Sequence, residues 1–206
     1  GYALDIDGLL AACTPAVKLV FLCTPNNPTG NSVAARDILQ LASALRGRAL
    51  LVIDEAYADF STAPSCATLL ARHPGIVVLR TLSKAYALAG ARCGVALADP
   101  EIIGLLRRII PPYALTQQTI EVVERALEPA ALRRTRERIA GIVAERARVA
   151  AALSALPGVL KVWPSDANFL LVEFDDPARA LERTHAAGLL VRDLRRSPGL
   201  QHALRI

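Results

Sequence analysis

Short apolar runs rich in β-branched residues alternate with helical segments in the first half of the chain, and this alternation constrains the fold most. The pattern predicts strands over 17–23, 49–53, 76–80 and 93–98, a helix over 33–46 ended by Gly47, and a loop and helix over 55–73. Strands separated by helices are typical of an α/β fold whose mostly parallel sheet is covered on both faces. Ligands of such folds bind outside the carboxyl ends of the strands.

The second half predicts a smaller unit. Helices are expected over 99–110, 116–127, 129–156 and 177–187, and strands near 159–163, 168–174, 189–192 and 203–206. We therefore expect 1–115 to be part of a large domain, and 116–206 to be linking helices and a small C-terminal α/β domain. The longest helix carries Arg133, Arg134, Arg136, Arg138, Arg146 and Arg148. Because no aromatic residues interleave with them, we interpret these arginines as a solvated helix face and not as a nucleic-acid site.

Composition excludes several classes of protein. The 206 residues are 53% hydrophobic and 21% charged with a net charge of +5, which excludes a disordered chain. No apolar run reaches the ~18 residues of a membrane span. Four cysteines without a CxxC pair and three scattered histidines predict neither a metal site nor a disulfide framework. We expect a soluble, cytoplasmic protein with reduced thiols, and Gly1 in place of an initiator Met suggests an internal cut in a longer chain.

Lysine is scarce, since 21 of the 24 basic residues are arginine. Lys84 follows the polar sequence TLS after a predicted strand, where an ordinary surface lysine is the alternative interpretation. A functional lysine there would form a Schiff base with an aldehyde. Nearby hydroxyls and a guanidinium are suitable phosphate ligands: Thr81, Ser83 and Arg92.

Two further strand ends carry polar residues. Asp54 closes the strand 49–53, where it is either a helix N-cap or a carboxylate paired with a heteroaromatic cation. Tyr57 is either a core tyrosine or a ligand of a phenolic oxygen on the same ring. Asn27, in PNNPTG, belongs to a tight turn or donates its amide to that oxygen. An X-Pro bond here in the cis form would aim the amide inward. Taken together, these groups supply what a pyridoxal phosphate (PLP) site requires.

The motifs PNNPTG, VIDEAY and TLSKAYALAGARCG resemble those of fold-type I PLP-dependent aminotransferases, and more closely the histidinol-phosphate aminotransferase family. The resemblance runs over essentially the whole chain. It implies the aminotransferase fold, a PLP cofactor, a homodimer, and a place in histidine biosynthesis. The implied reaction is transamination of L-histidinol phosphate with 2-oxoglutarate, which gives imidazole-acetol phosphate and L-glutamate.

The resemblance also implies a role for each candidate residue. Lys84 would be the Schiff-base lysine and the proton shuttle, Asp54 would pair with the pyridine nitrogen, and Tyr57 would be the third catalytic residue. Asn27 and Tyr57 would bond the ring oxygen O3′. The implied phosphate ligands are Thr81, Ser83 and Arg92.

The C-terminal half implies the substrate contacts. WPSDANFLLVEF resembles the family segment that returns to the active site, with Asn168 facing the cofactor. Arg192 and Arg205 match the family's substrate-binding arginines. By this resemblance Arg205 would hold the α-carboxylate of glutamate, and both arginines would hold the phosphate of histidinol phosphate. Without the resemblance, Arg192 would be a surface arginine beside Asp193.

Measured against the family pattern, the chain is expected to lack an N-terminal third, with its phosphate contacts and a ring-stacking aromatic, and a final strand and helix. The 206 residues alone are therefore expected to be inactive or weakly active. Alternatives are a threonine-phosphate decarboxylase, an aromatic or aspartate aminotransferase, and the aminotransferase-like effector domain of a transcription regulator. A structural fragment that binds no cofactor is the remaining alternative.

Overall fold

The computed structural model describes residues 2–206, so the expectation about Gly1 lies outside it. The first half contains a four-stranded sheet of order β1-β2-β3-β4. Its strands are β1 (Leu19–Cys23), β2 (Leu50–Asp54), β3 (Ile76–Thr81) and β4 (Gly94–Ala98). β1, β2 and β3 are parallel, whereas β4 runs antiparallel to β3. The predicted mostly parallel α/β fold is confirmed, and the carboxyl ends of three strands meet at one edge.

Three α-helices belong to this half: α1 (Ile6–Ala12), α2 (Ala35–Ala44) and α3 (Pro100–Ile109). α1 was not expected from the sequence, because seven residues are too few to display a helical period. The Asp5 carboxylate caps it by accepting a hydrogen bond from the Gly8 N–H. The predicted loop and helix over 55–73 is instead two short 3₁₀ helices, Ala58–Phe60 and Cys66–Leu69, and a third such helix spans Ala89–Ala91.

One face of the sheet forms the main core. Val20, Leu51 and Val78 of the strands pack there with α2, whose Ile38 and Leu41 are 2% and 0% exposed. Each such side chain contributes about 1.5–3 kcal/mol by leaving water. The other face is covered over β2 and β3, where Val52 and Val77 are 6% and 5% exposed, whereas Leu19 and Phe21 of β1 are 51% and 64% exposed.

The second half begins with α4 (Gln117–Leu127) and α5 (Pro129–Ser154). Proline at the first position of α5 costs no hydrogen bond, because that N–H has no partner within a helix. A second sheet follows, of order β5-β6-β8-β7 and antiparallel throughout. Its strands are β5 (Val159–Val162), β6 (Leu171–Phe174), β7 (Arg192–Asp193) and β8 (Ala203–Arg205), and helix α6 (Pro177–Ala186) connects β6 to β7. β6 and β7 each begin three residues later than the sequence predicts.

The 26 residues of α5 are the longest helix, and no helix within residues 2–206 combines the length and hydropathy of a membrane span. Five of the six arginines noted on it are exposed, as expected for a solvated helix face: Arg133, Arg134, Arg136, Arg138 and Arg148. Arg146 is the exception. Its guanidinium donates to the carbonyl oxygens of Ala167 at 2.5 Å and Phe60 at 3.4 Å, and its burial lowers its pKa. Arg146 therefore joins the two halves of the chain and is not a surface charge.

Glu55 is 2% exposed, although it carries a carboxylate directly after Asp54. It accepts hydrogen bonds from the Ser65 hydroxyl and the Cys66 N–H, both at 2.6 Å, and pairs with Arg80 at 3.1 Å. Burial and the Glu55 charge raise the pKa of the Cys66 thiol to about 12. Glu55 thereby ties the end of β2 to the end of β3 and to the 3₁₀ helix Cys66–Leu69.

We expect Glu55→Ala to lower the free energy of unfolding by about 3 kcal/mol, because it leaves a buried N–H and a half-buried guanidinium with fewer partners. Urea denaturation followed by circular dichroism measures the change. The control is Glu145→Ala, which removes an exposed carboxylate paired with Arg148 and should leave the midpoint nearly unchanged. Equal midpoints for the two variants would contradict the structural role of Glu55.

Candidate active site

The loop after β1 turns back on itself within six residues. The Asn26 N–H donates to the Asn31 carbonyl at 2.8 Å, and the Gly30 N–H donates to the Asn26 carbonyl at 2.8 Å. The Thr24–Pro25 and Asn27–Pro28 peptide bonds are both cis. The tight turn predicted from composition is therefore present, and it leaves the Asn27 side chain exposed at the carboxyl edge of the sheet.

Asp54 stands at the end of β2, between Cys23 of β1 and Leu79 of β3 in the sheet register. One carboxylate oxygen accepts the Ala56 N–H at 2.9 Å, as in a turn cap. This bond closes a turn and is not the helix N-cap considered as the alternative for Asp54, because Tyr57 is the N-cap of the 3₁₀ helix Ala58–Phe60 that follows. The bond occupies only one of the two carboxylate oxygens. Burial and the Asp54 charge together raise the pKa of the neighbouring Cys23 thiol.

The loop after β3 carries the candidate lysine. The Ser83 N–H donates to the Thr81 hydroxyl at 3.1 Å, and the Leu82 N–H donates to the Cys93 carbonyl at 3.2 Å. This second bond brings Ser83 and Arg92 onto adjacent chain segments. Arg92 has a left-handed backbone (φ 53°), and its guanidinium donates to the Ala89 carbonyl at 2.9 Å.

Tyr57 lies beside Lys84, whose Nζ is 5.3 Å from the centre of the tyrosine ring. Its hydroxyl makes no hydrogen bond to any residue between 2 and 206, and the ring meets Phe169 edge to face at 5.1 Å and 89°. The tyrosine is therefore neither a fully buried core residue nor a hydrogen-bonded one. It is available to a ligand in the adjoining cavity.

Two arginines face the same cavity from the small sheet. Arg192 of β7 and Arg205 of β8 are direct register partners, so their side chains project from the same face. Arg205 also donates to the Asn27 amide oxygen at 2.5 Å, although the two residues are 178 positions apart. This bond joins the small sheet to the loop after β1.

Asp193 does not neutralise Arg192. It projects to the opposite face, where Arg195 binds it through two N–H···O bonds of 2.9 and 2.8 Å. These bonds lower the pKa of Asp193 to about 2. No carboxylate within residues 2–206 lies within 4 Å of the Arg192 or Arg205 guanidinium.

A cavity of about 420 Å³ unites these groups. Of the residues predicted from the sequence, it is lined by Tyr57, Lys84, Asn168, Arg192 and Arg205. Asn27 reaches its edge through the bond to Arg205. Four predicted residues lie outside its wall. Asp54 and Thr81 end β2 and β3, and Ser83 and Arg92 lie between β3 and β4.

Phe169 is a lining residue that sequence reasoning missed, as it did Leu190, Val191 and Ile206. It is 8% exposed, and the Arg205 guanidinium carbon stands 4.9 Å above the centre of its ring. Its position within ANFLL looks like the start of a buried strand, so no local signal marks it. Only the pairing of β6 with β8 reveals its contact with Arg205.

Comparison with known proteins accounts for this arrangement. The family model described as aminotransferase class I and II matches residues 1–206. The chain belongs to the class I and II aminotransferase family. It is 50% identical over 207 residues to histidinol-phosphate aminotransferase of Stenotrophomonas maltophilia (strain R551-3). That match covers all of this chain and 57% of the relative, so the chain spans about 57% of the length of the curated relatives that it resembles.

Solved structures of aminotransferases and related enzymes share the fold. Histidinol-phosphate aminotransferase from Sinorhizobium meliloti in complex with pyridoxal-5′-phosphate is 29% identical with a TM-score of 0.84, over 99% of this chain and 56% of that one. L-threonine-O-3-phosphate decarboxylase from Porphyromonas gingivalis is 25% identical with a TM-score of 0.79, over 92% of this chain and 58% of that one. The aminotransferase fold type predicted from the motifs is confirmed.

The donor set of this aminotransferase chain fits PLP, the cofactor of the family. A primary amine, a carboxylate with a free oxygen and an unbonded phenol stand at one edge of the sheet, on Lys84, Asp54 and Tyr57. An aldehyde, a pyridinium nitrogen and a phenolic oxygen require these three groups. Hydroxyls and a guanidinium on the loop after β3 suit a phosphate.

Gly30 controls how closely the two halves approach at this edge. Its carbonyl accepts the Asp166 N–H at 2.8 Å, and a Cβ added at Gly30 would lie 2.8 Å from the Ser165 Cβ. Its φ of 77° also disfavours any other residue.

We expect Gly30→Ala to lower the free energy of unfolding more than Gly47→Ala does. Gly47 has a similar φ of 70° but nothing within 4 Å of an added Cβ, so its variant should lose only the roughly 1 kcal/mol of backbone strain. Adding Ser165→Gly to Gly30→Ala removes the side chain that the new Cβ would meet, so it should restore the extra stability that Gly30→Ala loses relative to Gly47→Ala. Urea denaturation of the four proteins measures it, and equal losses for both glycines would show that the close approach carries no energy.

Proposed function

We propose that this chain provides the cofactor and substrate site of an aminotransferase that exchanges the amino group of L-histidinol phosphate with 2-oxoglutarate. The products would be imidazole-acetol phosphate and L-glutamate, a step of histidine biosynthesis. The observation that carries the proposal is the pair of arginines, Arg192 and Arg205, that face Lys84 across one cavity and have no carboxylate partner among residues 2–206. Relatives named histidinol-phosphate aminotransferase, 47% to 50% identical across the whole chain, support the same substrate.

PLP bound here would supply an electron sink for the electrons left at the substrate Cα when its proton departs. The residues that would hold it are Asn27, Asp54, Tyr57, Thr81, Ser83, Lys84 and Arg92. Asp54 has a free carboxylate oxygen at the end of β2, and that oxygen would keep a proton on the ring nitrogen. Asn27 and Tyr57 would donate to the phenolic oxygen.

Lys84 would move the proton. Its Nζ lies beside Tyr57 in the wall of the cavity, on an exposed loop that leaves the amine free to shift between two carbon atoms of the reacting group. A free amine so placed would take the proton from the substrate Cα and return it to the cofactor carbon on the other side of the connecting nitrogen. Tyr57 limits the directions from which the amine approaches, because its ring packs against both Lys84 and Phe169.

The arginine pair explains why the substrates are anions. Like charges directly opposite one another on two strands destabilise a sheet, and here no carboxylate within the described residues relieves them. A bound phosphate or carboxylate would do so, because a guanidinium offers two parallel N–H donors to either group. One site would then accept the phosphate of histidinol phosphate and the carboxylates of 2-oxoglutarate in turn. Asn168 would contact the reacting group from the same wall.

We expect Lys84→Ala to abolish covalent attachment of PLP and to reduce turnover by at least about a thousandfold. The assay uses the full-length gene product, and mass spectrometry after borohydride reduction detects the trapped cofactor. Lys18→Ala and Lys161→Ala are the matched controls, since they remove the other two lysines and should leave both readouts unchanged. A trapped cofactor in the Lys84 variant would disprove the assignment.

We expect Arg205→Gln to raise KM for histidinol phosphate and for 2-oxoglutarate by about 10- to 100-fold, since a charged hydrogen bond contributes about 1.5–3 kcal/mol. Arg192→Gln should raise KM mainly for the phosphorylated substrate. Steady-state kinetics of both half-reactions separate these effects, with Arg148→Gln on the exposed face of α5 as the control.

The likeness to the Porphyromonas gingivalis decarboxylase supports a second candidate, a phosphorylated amino acid that loses CO₂. Stoichiometric consumption of 2-oxoglutarate supports the transaminase. Release of CO₂ from threonine phosphate without 2-oxoglutarate would favour the decarboxylase instead.

A further inference from the structure

We propose that Phe169 is a positioning residue that sets the affinity of this site for anionic substrates, by holding the Arg205 guanidinium over the face of its ring. The inference rests on the proposed function, because it assigns Arg205 to the substrate anion. The guanidinium carbon lies 4.9 Å from the ring centre, within the range of an attractive cation–π contact.

Phe169 is itself fixed on both sides along the chain. Two residues before it, the Ala167 carbonyl accepts a hydrogen bond from the Arg146 guanidinium. This bond ties the chain before Phe169 to α5. On the other side, Leu170 and Ile206 exchange two backbone hydrogen bonds of 2.6 and 2.9 Å. Because Ile206 follows Arg205 directly, this pairing sets the ring beside the guanidinium. A ring anchored in this way orients Arg205 and does not merely follow it.

The choice of an aromatic partner has a chemical consequence. A carboxylate beside Arg205 would neutralise its charge and compete with a substrate for the same N–H donors. The electron-rich face of a ring attracts the cation while it leaves the charge and the N–H groups at the guanidinium edge free. One of these groups binds the Asn27 oxygen, and the others remain available to an anion.

Phe169 also couples this anchor to the reacting end of the cavity. Its ring meets the Tyr57 ring edge to face, with 5.1 Å between the ring centres. The Lys84 Nζ in turn lies 5.3 Å from the centre of the Tyr57 ring. The series Arg205, Phe169, Tyr57, Lys84 therefore fixes the spacing between the anion-binding group and the amine.

Substitution of Phe169 by Leu keeps a large apolar side chain at this position but removes the aromatic ring face. We expect Phe169→Leu to raise KM for both histidinol phosphate and 2-oxoglutarate, and the inhibition constant of inorganic phosphate, by about five- to tenfold. kcat should fall by less than about threefold, since the groups that move the proton remain. Phe169→Tyr should restore the affinities. Phe174→Leu, the same change on β6, is the control and should alter neither.

A second measurement removes any ambiguity from a cavity or from poor folding. Pentafluorophenylalanine at position 169 keeps the shape of the ring but makes its face electron-poor, so the cation is no longer attracted. The inference requires a rise in KM and in the phosphate inhibition constant with an unchanged melting temperature. Wild-type affinities in this variant would overturn it.

The Arg205→Gln background separates the two proposals. If Phe169 acts through Arg205, then Phe169→Leu should add less than about twofold to KM in that background. A full additional effect there would overturn the inference and leave the proposed function intact. If Arg205→Gln itself leaves KM unchanged, the assignment of Arg205 to the substrate fails first, and the inference fails with it.

Discussion

The docking of the loop after β1 against the segment before β6 is the contact on which the candidate site depends. The Asp166 N–H binds the Gly30 carbonyl at 2.8 Å, Arg205 binds Asn27, and Gly30 leaves no space for a side chain beside Ser165. The amine and the carboxylate belong to the first sheet, whereas the two arginines belong to the second. Together with Arg146 and the Tyr57–Phe169 ring pair, this contact brings the two groups to one cavity.

Charges are distributed unevenly around this contact, and the distribution follows from what each charge must do. The buried Glu55 carboxylate pairs with the half-buried Arg80 guanidinium and fixes the ends of β2 and β3. The two charges therefore neutralise each other within the protein. Arg192 and Arg205 are the opposite case, because their neighbours are a ring, an amide and each other. Under the proposed function, the uncompensated pair is the one that binds the substrate anion.

Membership of the class I and II aminotransferases explains the arrangement of motifs but leaves most of the energetics to this chain's own residues. The contacts around the candidate residues are particular to this chain: Glu55 binds the Cys66 N–H directly after Asp54, Arg146 binds the Ala167 carbonyl, and Phe169 lies beneath Arg205.

The sequence by itself determined the strands of the first half, the helices from 100 onward, and the placement of Asn27, Asp54 and Lys84 at or just after strand ends. Those features follow from local periodicity and from turn-forming residues, which act over a few positions. The tertiary structure alone decided that Asn27 meets Arg205, that Arg146 is internal, and that Phe169 lies under a guanidinium. Contacts between residues far apart in the chain depend on how whole elements pack, and no local pattern encodes them.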